Sequence, residues 1–137
     1  MRLLLFLFAT LILNSCGTSE IKDKINEISS TERGELSHDS KVFFGNRLFS
    51  EKTCITCHAV GKKKIGPSIL DIVDIYTKNK ADIEAFLKGN SKPIVDTTSA
   101  QIAIMQANID GFLKKVTDEE INAIATYMLH VAELKNK

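Results

Sequence analysis

Several residue types are scarce in this chain of 137 amino acids, and each scarcity excludes a class of protein. The chain has no tryptophan, two prolines and three cysteines, and three cysteines are too few for a disulfide scaffold. Its formal net charge is only +1. Such a balance argues against nucleic acid as a partner of the whole chain. The function must therefore be read from local motifs in one small domain.

Long hydrophobic runs are also missing. The longest largely apolar stretch, residues 3–13, has 11 residues and includes one polar residue, Thr10, whereas a bilayer core needs about 20 residues of helix. A short apolar segment after the positive charge of Arg2 is typical of a secretory signal peptide. The sequence Leu13-Asn14-Ser15-Cys16 then resembles the lipobox of bacterial lipoproteins.

That resemblance implies that residues 1–15 are removed and that Cys16 is acylated. It would place the protein in a bacterial cell envelope, facing the periplasm, with the acyl chains on Cys16 in a membrane. The alternative is an ordinary cleaved signal that leaves Cys16 as a free thiol.

The segment that follows is polar and acidic. Residues 17–39 carry six acidic and three basic side chains and no aromatic residue. We therefore expect residues 16–39 to form a flexible tether, although three isoleucines at helical spacing leave a frayed helix as an alternative. The predicted domain is residues 40–137.

The motif that points to chemistry is Cys54-Ile55-Thr56-Cys57-His58. The spacing C-x-x-C-H is typical of covalent attachment of a c-type haem. Two thiols three positions apart can both bond to the vinyl groups on one edge of a porphyrin. The adjacent histidine can then bind the iron from below. One haem c on Cys54 and Cys57 is therefore the predicted cofactor.

Three other kinds of site share part of this motif. A thioredoxin-like redox pair requires a βαβ pattern, which the sequence lacks. A zinc site requires further ligands at short spacing, and the remaining candidates, His38 and His130, are scattered along the chain. A simple disulfide between Cys54 and Cys57 would leave His58 without a role.

Apolar periodicity around the motif predicts helices and no strand of consequence. One helix is capped by Ser40 and leads into the motif, and two short helices are expected at about 67–76 and 81–88. A capping box of Thr117 and Glu120 begins the last and longest helix. The expected fold class is all-α.

With these elements, residues 42–132 resemble a class I c-type cytochrome. In that family the first and last helices cross at a glycine. Gly45 and Phe49 resemble the residues of the first helix at this crossing, and Ile124 and Tyr127 resemble those of the last helix. The resemblance implies a small fold in which helices and loops surround one haem.

The resemblance also implies the iron ligands. His58 is the proximal ligand, supported by a backbone carbonyl of the downstream pair Gly66-Pro67. Met105 has the position in the chain order of the family's axial methionine, within the expected irregular stretch 90–111. Met128 lies on the inward stripe of the last helix, where it is expected to fill the core.

The sequence departs from the family pattern at Met105, because no proline stands beside it. The ligand loop is therefore less constrained, and residues 99–107 are free to be helical. In the alternative, Met105 only fills apolar space near the iron, and the sixth coordination position of the iron stays open.

The expected function is that of a lipid-anchored carrier of one electron between membrane-associated redox complexes, with histidine and methionine on the iron. The alternative is a haem enzyme or gas sensor with an open or labile sixth site. Lys62, Lys63 and Lys64 lie close to the motif and form a candidate docking patch for a redox partner. A solvated loop is the simpler interpretation of the same three lysines.

Overall fold

The computed structural model describes residues 34–135 and 137. The expected signal peptide, Cys16 and the tether as far as residue 33 lie outside the described residues, so these predictions stay predictions. None of the helices in the described part has the length and hydropathy needed to cross a bilayer.

The described chain is helical, which confirms the predicted all-α fold. Within residues 34–135, extended pairing is limited to one isolated bridge between His58 and Lys63. In chain order the elements are α1 (His38–Glu51), α2 (Cys54–Cys57), α3 (Ile69–Lys78), α4 (Ile83–Leu87), α5 (Ser99–Asp110), a 3-10 turn (Leu113–Lys115) and α6 (Asp118–Lys135).

Helices α1 and α6 cross at Gly45, as the family resemblance implied. Gly45 is buried, and a Cβ built on it would overlap the backbone carbonyl of Ala123 and lie 2.8 Å from Cβ of Tyr127. One turn further along α1, the rings of Phe49 and Tyr127 pack with their centroids 5.5 Å apart. The small residue thus allows the two helices to approach closely, while the aromatic pair fills the adjacent space.

The predicted capping box begins α6. The backbone N–H of Thr117 donates to Oε2 of Glu120 at 2.9 Å, and the backbone N–H of Glu120 donates to Oγ1 of Thr117 at 3.3 Å. These bonds satisfy two donors that a helix N-terminus would otherwise leave unpaired.

The first helix begins earlier than the sequence predicted. Ser37 rather than Ser40 is its N-cap, because Oγ of Ser37 accepts the N–H of Ser40 at 3.3 Å. Residues 38 and 39, which we expected to belong to the tether, therefore form the first turn of α1. Either serine could serve as a cap, and the one further upstream adds three residues, or nearly one turn, to the helix.

The two short helices form close to their predicted positions. Ser68 caps α3 by accepting the N–H of Asp71 at 3.0 Å, so Pro67 precedes the helix instead of starting it. Asp82 caps α4 in the same way, and Gly89, with a φ of +77°, follows the end of that helix.

The segment around Met105 is helical, which was the alternative to the irregular stretch that the family pattern implied. Residues Ser99–Asp110 form α5 where the family pattern had led us to expect a mostly irregular stretch. No proline interrupts this segment, so nothing prevents a continuous set of helical hydrogen bonds. Met105 is therefore presented from a helix.

The buried side chains form two clusters that share partly buried neighbours. The larger joins α1, α3, α4 and α6, and the smaller joins Ile109, Leu113 and Ile121. Phe86 and Leu87 of α4 pack against both clusters. Side chains from both clusters line one cleft, so the hydrophobic core surrounds this cleft.

Candidate functional site

The cleft is large and mostly apolar. The space between its walls, counted together with the solvent at its open mouth, is about 1270 Å³, and such a concave, mostly apolar site is typical of cofactor binding. All five candidate site residues of the sequence analysis line it: Cys54, Cys57, His58, Pro67 and Met105. The structure thus brings together residues that lie up to 51 positions apart in the chain.

The two thiols are presented by the single turn of α2. Thr53, with a left-handed φ of +62°, separates this turn from α1, and its carbonyl accepts Oγ1–H of Thr56 at 2.7 Å. Cys54 and Cys57 are free and half-buried, and both face the cleft. Burial raises the pKa of the free Cys54 thiol, so at neutral pH its sulfur carries a proton.

His58 is oriented by one hydrogen bond to the backbone. Its Nδ1 lies 2.8 Å from the carbonyl oxygen of Pro67. A carbonyl can only accept, so Nδ1 carries the proton and Nε2 is left with a free lone pair. That tautomer is the one that can bind a metal through Nε2, and a second partner of this kind is typical of ligating histidines.

Gly66 provides the space that the His58 ring occupies. A Cβ at residue 66 would lie 2.5 Å from Cε1 of His58. The sequence analysis used Gly66 only as the neighbour of Pro67. Its close contact with the imidazole is a second requirement, which the sequence does not reveal because it depends on the path of the loop.

The loop between His58 and Gly66 is closed by backbone bonds. The N–H of Gly66 donates to the carbonyl of Cys57 at 3.0 Å, and that of Ile69 donates to the carbonyl of Ala59 at 2.9 Å. These bonds hold α2 and the start of α3 at a fixed separation. The imidazole is therefore placed by a rigid frame.

Met105 and Met128 both reach the cleft, but they differ in their surroundings. Met128 is only 5% exposed and belongs to the larger core cluster on α6. Met105 is half-buried on α5, where it packs against the smaller cluster. Met128 therefore fills the core as expected, while Met105 has a side chain less enclosed by protein.

One buried polar atom, on a residue that lines the cleft, has no protein partner. Among the described side chains, the hydroxyl of Tyr76 is the buried oxygen or nitrogen that makes no hydrogen bond. Burial, with a smaller effect from the negative charge of Asp82, raises the pKa of Tyr76 to about 12. Since buried hydroxyls normally find a partner, this unpaired hydroxyl fits a cleft that holds a group with polar atoms at its edge.

From the sequence, Tyr76 is only the last residue of a helix predicted at about 67–76. Its hydroxyl was the available signal, because a tyrosine whose ring is buried needs a polar partner. Taken together, the apolar walls, two free thiols, an oriented imidazole, a thioether and this hydroxyl fit a covalently attached haem.

The other histidines lie outside the cleft lining. The rings of His38 and His130 meet edge to face, with centroids 5.8 Å apart. In the described part of the chain, no three His, Cys, Asp or Glu side chains are grouped so as to hold a metal ion. Nε2 of His58 is thus the imidazole nitrogen that can bind a metal in the cleft.

The three lysines after the motif do not act as one solvated patch. All three are exposed, but Nζ of Lys63 lies 2.9 Å from Oδ2 of Asp96. Nζ of Lys64 donates to the carbonyl of Ile55 at 2.9 Å. Two of the three charges are therefore engaged with the protein itself.

Comparison with known proteins agrees with this geometry. The sequence profile of the family described as Cytochrome c matches residues 44–132. The chain is 34% identical over 89 residues to cytochrome c6 of Rippkaea orientalis, an alignment that covers 65% of this chain and 69% of the relative.

Two further relatives have the same name. Cytochrome c6 of Synechocystis is 31% identical over 99 residues, which cover 72% of this chain and 68% of the relative. Cytochrome c6 of Gloeothece citriformis is 27% identical over 106 residues, which cover 77% and 80%. The chain belongs to the cytochrome c family and is a monohaem electron carrier, not an enzyme, with haem c attached through Cys54 and Cys57.

Proposed function

We propose that this cytochrome carries one electron at a time between membrane-associated redox complexes, with its iron bound by Nε2 of His58 and by the thioether of Met105. The observation that carries the proposal is the hydrogen bond from Nδ1 of His58 to the carbonyl of Pro67. It directs the unprotonated nitrogen of the ring toward the cleft that Met105 also lines.

The choice of Met105 over Met128 rests on their surroundings. Met128 packs within the core of α6, and its withdrawal would leave a cavity there. Met105 lies on α5, in contact with a smaller cluster and with space on its cleft side. Met105 can therefore supply a ligand without dismantling the core.

Ligation by histidine and methionine suits an electron carrier. A thioether ligand raises the reduction potential of haem iron. Two protein ligands also leave no position for a substrate, so gaining or losing an electron requires little rearrangement. The residues of the cleft then serve to exclude water and to hold the two ligands in place.

The anchored location rests on the amino-terminal sequence. The segment ending in Cys16 resembles a lipoprotein signal, and acylation of Cys16 would hold the haem domain close to membrane complexes of the periplasm. Mass spectrometry of the membrane fraction tests this. The expected mass corresponds to a chain that begins at an acylated Cys16, and the variant Cys16→Ser should leave the membrane.

The docking of partners is proposed to involve Lys62 and Lys64. Both are exposed beside the haem motif, and they can attract an acidic redox protein toward the cleft. Lys63 contributes less, because its charge is paired with Asp96.

Replacement of the two methionines tests the ligand set. Met105→Ala should abolish the near-infrared sulfur-to-iron band of the oxidised protein and lower its reduction potential. Met128→Ala, the matched control, should keep the band and lose stability by about 2–5 kcal/mol. A Met105→Ala protein with an unchanged band and potential would contradict the proposal and favour an open or differently ligated iron, as in a gas sensor.

A further inference from the structure

Lys63 and Asp96 form an ion pair that joins two loops 33 residues apart. Nζ of Lys63 lies 2.9 Å from Oδ2 of Asp96. The lysine side chain is 61% exposed, whereas that of Asp96 is only 16% exposed and lines the cleft. Asp96 is therefore held against the protein, unlike the partners of a typical surface pair.

Lys63 belongs to the loop that frames the imidazole. Its backbone forms an isolated antiparallel bridge with His58. The next residue, Lys64, donates its N–H at 3.1 Å to the carbonyl of Gly66, the residue packed against the histidine ring. The position of Lys63 is thus fixed relative to His58 by backbone contacts, independently of its side chain.

Asp96 controls the start of α5. Its second carboxylate oxygen, Oδ1, accepts the N–H of Thr98 at 3.2 Å and the hydroxyl of Thr98 at 2.8 Å. Thr98 is the N-cap residue of α5 and makes no cap bond with its own side chain. One oxygen of Asp96 therefore binds Lys63, and the other accepts the hydrogen bonds of Thr98 at the start of α5, the helix that carries Met105.

The environment of Asp96 agrees with a permanently charged group. The hydrogen bond from Lys63, followed by those from Thr98, lowers the pKa of Asp96 to about 2. The carboxylate remains ionised throughout the range in which the protein functions, so the bond to Lys63 persists at neutral and mildly acidic pH.

From this geometry we propose that the Lys63–Asp96 ion pair, which we call the clasp, holds α5 at a fixed position relative to the loop that carries His58. Met105, which lies on α5, is thereby held in place as well. Lys63 and Asp96 are positioning residues and neither touches the iron. The proposal rests on the ligation by Met105 proposed above. It assigns the ion pair a function beyond general stability, because the pair sets how often the sixth ligand leaves the iron.

The clasp makes a distinct prediction for ligand exchange. When it is broken, α5 can move away from the proximal loop and Met105 dissociates more often. Carbon monoxide added to the reduced protein can bind only while the sixth position is open. The rate of carbon monoxide binding therefore measures the opening of the clasp directly.

The experiment uses five variants of the haem-loaded protein, one of which is the double variant that combines Lys63→Gln with Asp96→Asn. Lys63→Gln and Asp96→Asn each remove one charge of the pair, and the asparagine keeps an oxygen for Thr98. Lys63→Arg preserves the pair, and Lys92→Gln removes a charge from the segment just before Asp96. The readouts are the rate of carbon monoxide binding and the near-infrared band of the oxidised protein.

Lys63→Gln and Asp96→Asn should each speed carbon monoxide binding by about three- to tenfold, and the double variant should be no faster than the single ones, because the two residues act as one unit. Lys63→Arg and Lys92→Gln should match the wild type. The clasp is refuted if the wild type shows the near-infrared band and Lys63→Gln nevertheless binds carbon monoxide no faster than Lys92→Gln.

Failure of the ligand assignment would look different. If the wild type lacks the band and binds carbon monoxide as fast as Met105→Ala, the proposed ligation is wrong. The Lys63–Asp96 clasp would then have no iron ligand to position, and the clasp proposal would be wrong as well.

Discussion

Gly45 lies against the backbone carbonyl of Ala123, with no room for a side chain between them. This contact sets the distance between α1 and α6, and α1 leads directly into the turn that carries Cys54 and Cys57. The crossing therefore determines where the haem-binding thiols lie relative to the core of α6.

Gly45→Ala should destabilise the protein by about 3 kcal/mol, because the added methyl group forces two backbones apart. Gly61→Ala is the matched control, since the nearest atom to its Cβ would be 3.6 Å away on Leu70. Denaturant unfolding of the two haem-loaded variants measures the difference. Equal stability of both variants would show that the helix crossing is not tightly packed at Gly45.

Gly66→Ala should disturb His58, the proposed iron ligand, more than the fold. The new Cβ would lie 2.5 Å from Cε1 of His58, so the ring must tilt and its bond to Pro67 must lengthen. A weaker bond at Nδ1 makes the imidazole a poorer donor to iron. We expect a changed reduction potential and a lower yield of haem-loaded protein.

Gly61→Ala in the same loop is again the control and should keep the wild-type potential. An unchanged potential in Gly66→Ala, measured by redox titration, would mean that the loop adapts and that the close contact has no effect on His58.

Elements with a strong local signal could be predicted from the sequence. The apolar spacing of α6 and the reciprocal cap of Thr117 and Glu120 are determined by neighbouring residues. The C-x-x-C-H motif is local in the same sense, and it specified the cofactor. The cap of α1 was misplaced because Ser37 and Ser40 are equally good caps, and only the packing of the helix decides between them.

Features that depend on the path of the chain could not be predicted. Lys63 and Asp96 lie in irregular segments with no periodicity, so nothing local indicates that they meet. The helical form of α5 was left open because the missing proline removes a constraint without imposing another. The orphan hydroxyl of Tyr76 becomes visible only when the cleft around it is known.

Tyr76→Phe should reduce the loss of stability at high pH. The pKa of Tyr76 is raised to about 12 in the folded protein, whereas it is near 10 in the unfolded chain. Between these values the unfolded state binds fewer protons than the folded state, so the free energy of unfolding falls as the pH rises. The phenylalanine variant lacks this contribution.

Denaturant unfolding at pH 9 and pH 11 provides the measurement, with Tyr127→Phe for comparison because burial also raises the pKa of Tyr127. The drop between the two pH values should be smaller in Tyr76→Phe than in the wild type. An identical drop would mean that Tyr76 ionises equally easily in both states.

Lys62→Gln and Lys64→Gln should slow the reaction with an anionic partner. Oxidation of the reduced protein by ferricyanide supplies a defined anionic probe, and its rate should fall and become less sensitive to salt in both variants. Lys80→Gln, which removes the same charge at the end of α3, is the control. A rate that does not depend on ionic strength in the wild type would exclude electrostatic guidance by these lysines.

The central claim is that two protein side chains occupy both axial positions of one haem iron, so that the protein exchanges electrons and binds nothing there. The absorption spectrum of the reduced, fully matured protein before and after addition of carbon monoxide tests this most directly. The account predicts a six-coordinate low-spin spectrum that the gas leaves essentially unchanged over the time of recording. Immediate conversion to a carbon monoxide complex would show an open sixth position and contradict it.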